Sequence, residues 1–181
     1  MTVKNTIDIS LQLVELCKAG NRKAQFDLYN LYAKAMYNTC LRIVSFQEDA
    51  EDVMQESFLE AFSKIHTFRA ESTFGAWLKT IVVNKAITKL RKRKLVFEDI
   101  NLHADDLVEE NKNDLDENTS VIQKIKTCLD LLPEGFRVVL NLYLFEGYDH
   151  QEIGQILGIN ESTSRSQFLR GKNKLLALMA E

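Results

Sequence analysis

The sequence of 181 residues has little proline and glycine and few of the residues that build disulfide or metal frameworks. One proline and seven glycines leave long stretches without a helix breaker, which favours an all-helical fold. Cys17, Cys40 and Cys128 are far apart, lack C-x-x-C spacing and lie among apolar residues, so we expect buried free thiols. The three histidines have no ligand spacing with one another or with a cysteine, and no metal or other cofactor is expected.

Long apolar runs are also absent. No stretch approaches the ~20 apolar residues that a membrane-spanning helix needs, and the first residues, Met-Thr-Val-Lys-Asn, do not form a signal-peptide core. We therefore expect a cytoplasmic protein without a membrane span. Since no nucleophile and base pair, metal spacing or glycine-rich phosphate loop can be recognised, an enzymatic role is not expected.

The net charge of -3 conceals an uneven distribution of basic residues. A fourth helix is predicted from Phe74 onward. Its range 79–94 contains no acidic residue and seven basic ones, which are Lys79, Lys85, Lys89, Arg91, Lys92, Arg93 and Lys94. A helix end favoured by the macrodipole would account for two or three of them. The remaining density indicates phosphate neutralisation, so a polyanion is the expected ligand.

A predicted helix from Glu48 to His66 separates an apolar face from an acidic one. The acidic side chains at helical spacing are Asp49, Asp52, Glu56 and Glu60. Like charges so placed destabilise an isolated helix by ~0.2–0.5 kcal/mol per pair, so local stability does not explain them. A solvated face is one interpretation. Because no Lys or Arg precedes Lys64 on this face, we favour a basic protein partner.

The other periodic segments complete a helical plan. A short helix is predicted from Ser10 to Ala19 and a longer one after Asn21, which can cap it. Ser72 is the predicted cap of the fourth helix, which is apolar on two faces. Two further predicted helices have these apolar positions: Val121, Ile122, Ile125, Cys128, Leu129 and Leu132; Phe136, Val139, Leu140 and Tyr143.

Between these groups, the range 96–118 has nine carboxylates against one lysine. Poor periodicity and high charge predict an extended, mobile linker. We therefore expect two small helical domains, residues 1–95 and 119–181, joined by an acidic flexible linker at 96–118. Tethered between two basic surfaces, the linker carboxylates are expected to keep the free protein off DNA.

The C-terminal segment predicts a helix-turn-helix. Asp149 and Glu152 have the spacing of a capping box, and Gly158 stands where the chain leaving a helix requires positive φ. Asn160 can cap a second helix. On that helix the residues Ser164, Phe168, Gly171 and Leu175 share one face, while Ser162, Arg165, Ser166, Arg170 and Asn173 point away and can meet DNA. An ordinary helical hairpin is the alternative.

In order and spacing these motifs resemble the extracytoplasmic-function sigma factors, promoter-recognition subunits of bacterial RNA polymerase, over nearly the whole chain. The residues that carry the resemblance are Asp49-Ala-Glu-Asp-Val-Met-Gln-Glu-Ser-Phe58, Phe74-Gly-Ala-Trp-Leu-Lys-Thr-Ile81, Leu132-Pro-Glu-Gly-Phe136 and the helix-turn-helix. The resemblance implies a sigma factor that binds core polymerase, directs it to promoters and assists DNA opening. Its implied partners are core RNA polymerase, through the clamp helices of the largest subunit, promoter DNA and an anti-sigma protein.

The resemblance also implies three sets of contact residues. Polymerase would be bound by Asp49, Asp52, Gln55, Glu56, Phe58 and Glu60. The minus-10 element would be bound by Arg69, Ser72, Trp77, Lys79, Asn84, Lys85, Arg91 and Lys92. The minus-35 element would be bound by Ser162, Thr163, Arg165, Ser166, Arg170, Lys172 and Asn173.

Some positions depart from the family pattern or stay open. Val83 and Thr88 stand where many members carry a basic residue and an aspartate, and Ser162, Ser164 and Gln167 replace a common glycine, valine and arginine. Trp77 can be a core residue or a base contact. Two rival functions are a DNA-binding regulator that acts alone as a dimer and an interaction module that sequesters a partner.

Overall fold

The computed structural model describes the backbone of residues 2–100 and 117–180 and the side chains of residues 9–93, 121 and 123–180. Within these ranges all regular structure is helical, as predicted. The chain divides into two compact units, Met1–Arg91 and Lys92–Glu181. No described helix is long and apolar enough to cross a membrane.

The N-terminal unit is built from helices. They are α1 (Thr2–Lys18), α2 (Arg22–Val44), α3 (Gln47–Ser63), a 3-10 turn at Ile65–Thr67, and the first part of α4 (Phe74–Ile100). Asn21 caps α2 as predicted, its Oδ1 accepting from the Ala24 amide at 3.0 Å. Ser45 ends α2 in the left-handed region at φ 67° and turns the chain into α3.

The prediction that Ser72 caps α4 is wrong, because Thr73 is the capping residue. The hydroxyl of Thr73, one residue nearer the helix than Ser72, accepts from the Ala76 amide at 3.2 Å. Ser72 instead donates to the Thr73 carbonyl at 3.4 Å. Thr73 directly precedes the first helical residue, and that position places its side-chain oxygen within reach of the free amides of the first turn.

Most of both apolar faces of α4 is buried. Phe74 and Leu78 are buried in its first turns, and Val83, Ile87 and Leu90 are buried in its later turns. Ile81 is half-buried. The ring of Trp77, which is half-buried, lies 5.4 Å from Phe68 and 5.6 Å from Phe74 between centroids, so the tryptophan belongs to the margin of the aromatic core.

The predicted linker, 96–118, begins within a helix. Helix α4 runs to Ile100, so residues 96–100 are helical. No glycine or proline interrupts the chain there, and without a breaker the helix propagates past the change in charge. Helix α5 begins at Glu117. The remainder of the predicted linker, 101–116, lies outside the described residues.

The C-terminal unit contains α5 (Glu117–Asp130), α6 (Glu134–Leu144), α7 (His150–Leu157) and α8 (Glu161–Ala180). Its core includes Leu129, Leu132 and Leu140, with Phe168 and Leu175 packed against them. The predicted apolar faces need two corrections: Val121 is 55% exposed and Tyr143 is 40% exposed, because both lie at the edge of the packing. Val138 and Leu142, which were not predicted, are buried, so α6 is enclosed on more than one side.

Candidate protein and nucleic-acid interfaces

Helix α7 begins with the predicted capping box. The Asp149 Oδ1 accepts from the Glu152 amide at 2.8 Å, and the Glu152 Oε2 accepts from the Asp149 amide at 2.8 Å. Gly158 ends the helix at φ 69°, a left-handed conformation that glycine adopts without steric cost. A methyl group on Gly154 would lie 2.8 Å from the Ile159 carbonyl oxygen. The absence of that side chain therefore lets the turn fold back closely onto α7.

Helix α8 is fixed to α7 by a buried polar contact. The Nδ1 of His150 lies 2.9 Å from the Oγ of Ser164. His150 is 8% exposed and Ser164 is fully buried. The imidazole stacks on Tyr143 with centroids 4.7 Å apart and meets the edge of Phe168 at 5.5 Å. The orientation of α8 is therefore specified by a hydrogen bond as well as by apolar packing.

Helix α8 also crosses α6 closely at Gly171. A methyl group there would lie 3.0 Å from the Phe136 Cβ and 3.1 Å from the Leu140 Cδ1. The missing side chain of Gly171 therefore permits a close helix crossing, whereas that of Gly154 accommodates the turn.

The outward face of α8 is as predicted. All seven side chains expected to meet the minus-35 element are exposed: Ser162, Thr163, Arg165, Ser166, Arg170, Lys172 and Asn173. Nε and Nη2 of Arg165 both donate to one oxygen of Glu161, at 3.0 and 2.6 Å. The Ser166 hydroxyl donates to the Ser162 carbonyl at 2.9 Å, which leaves its oxygen lone pairs as acceptors.

The acidic face of α3 has an inner and an outer part. The side chains of Asp49 and Glu60 are 24% and 31% exposed, whereas those of Asp52 and Glu56 are 64% and 68% exposed. Gln55 is exposed as well. Phe58 is 3% exposed, with its ring centroid 4.7 Å from that of Tyr29, so it holds α3 in place from the core side instead of lying on the surface.

The carboxylates of this face are ion-paired with α4, which the sequence did not reveal. Lys85 Nζ lies 3.0 Å from Glu60 and 3.6 Å from Glu56. Lys89 Nζ lies 3.0 Å from Asp49 and 3.4 Å from Asp52. We call these six side chains the α3–α4 ion-pair ladder. Lys85, predicted to contact minus-10 DNA, is engaged by carboxylates in this structure.

The ladder, together with Lys64 beside Glu60, shifts the pKa values of three of its members. Hydrogen bonds from Lys64 and Lys85 lower the pKa of Glu60. Hydrogen bonding to Glu60 raises the pKa of Lys85, and hydrogen bonding to Asp49 raises the pKa of Lys89. All three shifts favour the charged forms, as expected where opposite charges lie within contact distance.

The other residues expected at the minus-10 element lie along the loop before α4 and on α4 itself. Arg69, Ser72, Asn84, Arg91 and Lys92 are exposed, and Lys79 is half-buried. In the loop, Ala70 adopts a positive φ of 57°.

One departure from the family pattern has a structural account. Val83 is 1% exposed, so an apolar residue at this position belongs to the core. Thr88 is exposed, and its hydroxyl donates to the Asn84 carbonyl at 2.8 Å within the helix.

Cys17, Cys40 and Cys128 are buried free thiols, as predicted. Within the described residues, no three His, Cys, Asp or Glu side chains are grouped so that they could hold a metal ion. Burial raises the pKa of the Cys17 thiol, which favours the inert protonated form.

Sequence reasoning missed three features of these interfaces. They are the Glu161 carboxylate beside Arg165, the hydrogen bond between His150 and Ser164, and the pairing of α3 with α4. The first had a local signal, because Glu161 and Arg165 are four residues apart on one helix. The other two join different helices and had none.

Comparison with known proteins finds a separate family match in each of the two units. The family model described as sigma-70 region 2 matches residues 28–96, and the model described as sigma-70, region 4, matches residues 122–175. The ECF RNA polymerase sigma-E factor of Haemophilus influenzae is 31% identical over 187 residues, covering 92% of this chain and 95% of that protein. The ECF RNA polymerase sigma factor SigW of Bacillus subtilis is 28% identical over 176 residues, covering 90% and 92%.

Two solved structures share the fold. The sigma factor RpoE of Bartonella quintana, in complex with the anti-sigma factor NepR, superposes with a TM-score of 0.61 at 24% identity, covering 84% of this chain and 94% of that one. CnrH, in complex with the cytosolic domain of CnrY, gives 0.56 at 21% identity, covering 95% and 97%. From the two matched regions and the near full-length relatives, the chain belongs to the extracytoplasmic-function sigma factors, which direct RNA polymerase to promoters.

Proposed function

We propose that the two units divide promoter recognition between them. The C-terminal unit places α8 in the major groove of the minus-35 element. The N-terminal unit docks on core polymerase through α3 and binds the minus-10 element through α4 and the loop before it. The domains are taken as residues 1–95 and 119–181, joined by the segment 96–118.

The exposed face of α8 is the observation that carries the proposal. It presents hydroxyl, amide and guanidinium groups, and Glu161 is the one acid among Glu161–Ala180. Arg165 and Arg170 can donate to guanine edges, while Lys172 can neutralise phosphate. The buried contact of His150 with Ser164 and the close crossing at Gly171 hold this face rigidly. A rigid, polar helix surface of this kind suits direct readout of base edges.

The outer carboxylates of α3 support polymerase docking. Asp52 and Glu56 are accessible and lie beside exposed Gln55. A basic helical surface such as the clamp helices of the largest subunit would complement them. Phe58 contributes from the core by anchoring α3 on Tyr29.

DNA opening would use the region around Trp77. Its half-buried ring lies next to Phe68, and the exposed Arg69 and Ser72 are in the adjoining loop. An unstacked base held there would gain about 1–3 kcal/mol from stacking. Arg91 and Lys92, exposed farther along α4, could contact the phosphates.

We also propose that the protein is held in check by an anti-sigma protein. The structural neighbour RpoE is in complex with the anti-sigma factor NepR. An anti-sigma partner would compete with polymerase for surfaces of the same units. Co-purification of the tagged chain from its own host, with and without added core enzyme, tests for such competition.

Run-off transcription with core enzyme and genomic templates tests the main proposal. We expect discrete transcripts that require both core and this protein, with protection of two promoter elements in footprinting. A gel shift without core separates the rival function, since a self-sufficient regulator would bind its operator alone as a dimer. Equal, sequence-specific shifts with and without core would reject the sigma-factor assignment of these surfaces.

A further inference from the structure

The α3–α4 ion-pair ladder joins two surfaces that have different partners under the proposed function. Its carboxylates lie on the helix assigned to polymerase, and its lysines lie on the helix assigned to DNA. Lys89 pairs near the start of α3 and Lys85 near its end, so the two helices run antiparallel along the contact. The same charges therefore cannot be fully available to both partners while the ladder is intact.

Each lysine in the ladder has one inner and one outer carboxylate. Glu60 and Asp49 are the inner ones, at 3.0 Å and largely shielded from solvent. Glu56 and Asp52 are the outer ones, at 3.6 and 3.4 Å and mostly exposed. An arriving basic surface can take the outer carboxylates without disturbing the inner pairs. Each lysine would then keep one partner and lose the second.

We propose that Lys85 and Lys89 are positioning residues that couple polymerase binding to DNA binding within the N-terminal unit. In the free protein the outer carboxylates hold the two ammonium groups away from phosphate. Docking of a basic polymerase surface on Asp52 and Glu56 leaves each ammonium group with a single carboxylate and makes it available to DNA. This coupling rests on the proposed function of α3.

Thermodynamic linkage makes the coupling reciprocal. If polymerase docking favours DNA binding through the ladder, then removing the lysines should favour polymerase docking, because the carboxylates lose their internal partners. If the ladder only stabilised the fold, neutralising it would lower stability. The affinities for polymerase and for DNA would then change only as much as the altered net charge requires.

The first experiment measures DNA binding by the free full-length protein. Asp52→Asn/Glu56→Gln is compared with Glu15→Gln/Glu51→Gln, a matched control with the same charge change in the same unit. Glu15 is an exposed acid on α1, and at 100° per residue Glu51 faces a different side of α3 from the ladder. The probe is a single-stranded DNA oligonucleotide of mixed sequence, followed by fluorescence anisotropy between 50 and 200 mM salt.

Because Asp52→Asn/Glu56→Gln, the ladder variant, releases two lysines, it should bind the DNA probe more tightly than the control does. Two additional phosphate contacts would steepen its salt dependence, so over this range it should lose about 7-fold more affinity than the control. The gain should vanish when Lys85→Gln/Lys89→Gln is added. Equal affinities of the ladder variant and its control at every salt concentration would overturn the proposal.

The second experiment measures core polymerase affinity and needs no DNA. Lys85→Gln/Lys89→Gln should bind core several-fold more tightly than the parent, while Lys85→Arg/Lys89→Arg should behave as the parent. Unchanged or weaker binding by the glutamine variant would overturn the coupling. A separate result tests the proposed function: if Asp52→Asn/Glu56→Gln leaves core affinity unaltered, then α3 is not the docking surface for polymerase.

Discussion

His150 and Ser164 are joined inside the core of the helix-turn-helix, with the imidazole Nδ1 2.9 Å from the hydroxyl oxygen. The hydroxyl of Ser164 is the partner of a buried histidine. The two positions should therefore be understood as a unit. The polar pair specifies how α8 is rotated on α7, and that rotation decides which side chains of α8 are exposed.

Ser164→Val should destabilise the C-terminal unit by about 1–3 kcal/mol, because it leaves a buried imidazole nitrogen without its partner. The double variant His150→Leu/Ser164→Val should lose less than the sum of the two single variants. Hydrogen exchange of the α7 and α8 amides in the full-length protein measures the effect. Strict additivity of the two substitutions would contradict the pairing.

Gly171→Ala should also destabilise this unit, by about 1–3 kcal/mol, since the new methyl group meets Phe136 and Leu140 at close to 3.0 Å. Gly135→Ala is the control. There the nearest atom, on the side chain of Gln167, lies 3.7 Å from the added methyl group, and the change should be neutral or slightly stabilising. Urea denaturation followed by circular dichroism compares the variants. Similar losses for both would argue against a close crossing at Gly171.

Arg165→Ala should relax promoter preference at one base pair of the minus-35 element, at a cost of about 1–3 kcal/mol. Glu161→Gln should produce a smaller change, because the guanidinium loses the carboxylate that orients it but keeps its donors. Transcription from a library of minus-35 sequences provides the measurement. Lys124→Ala, an exposed cation on α5, is the control. An unaltered preference in the Arg165 variant would show that α8 is oriented differently on DNA.

Asp52→Lys/Glu56→Lys should abolish binding to core polymerase by reversing the outer carboxylates of α3. Each new lysine lies beside Lys89 or Lys85, and the like charges repel. A modest fall in Tm should therefore accompany the loss of polymerase binding. Surface plasmon resonance on immobilised core measures binding. Glu15→Lys on α1 serves as the control, and normal binding by the double variant would remove α3 from the interface.

The ladder should contribute to stability over a defined pH range. Hydrogen bonds from Lys64, which is outside the ladder, and from Lys85 hold the pKa of Glu60 below its ordinary value of 4.5, so the contribution of Glu60 is present above that value and is lost as the pH falls through the lowered pKa. The pKa values of Lys85 and Lys89 are above 10.5, so their contribution is complete below that value and is lost as the pH rises through the raised ones. The Tm difference between the parent and Lys85→Gln/Lys89→Gln should therefore be greatest between these limits. A pH-independent difference would contradict an ionic origin.

Replacing the carboxylates of the segment 96–118 with Asn and Gln should strengthen DNA binding by the free protein, most visibly at low salt, where the Debye length reaches about 30 Å at 0.01 M. A variant with the same acids in shuffled order is the control for composition. Fluorescence anisotropy across a salt series compares them. Equal affinity for the neutral and parent proteins would show that this segment does not shield the basic surfaces.

The features that the sequence determined by itself are local. The caps by Asn21 and Asp149, the left-handed Gly158 and the outward face of α8 each depend on residues within about one or two helical turns. Helical periodicity and side-chain capping chemistry are sufficient for these, because the interacting groups are fixed by their spacing along the chain.

Tertiary structure decided the features that join distant residues. Lys89 meets Asp52 across 37 positions and His150 meets Ser164 across 14, and no periodicity encodes either pairing. The burial of Phe58 and the pairing of Lys85 likewise depend on how one helix is rotated and docked against another. That rotation is set by the packing of whole faces, so a lysine that the sequence assigned to phosphate is held by carboxylates in the folded protein.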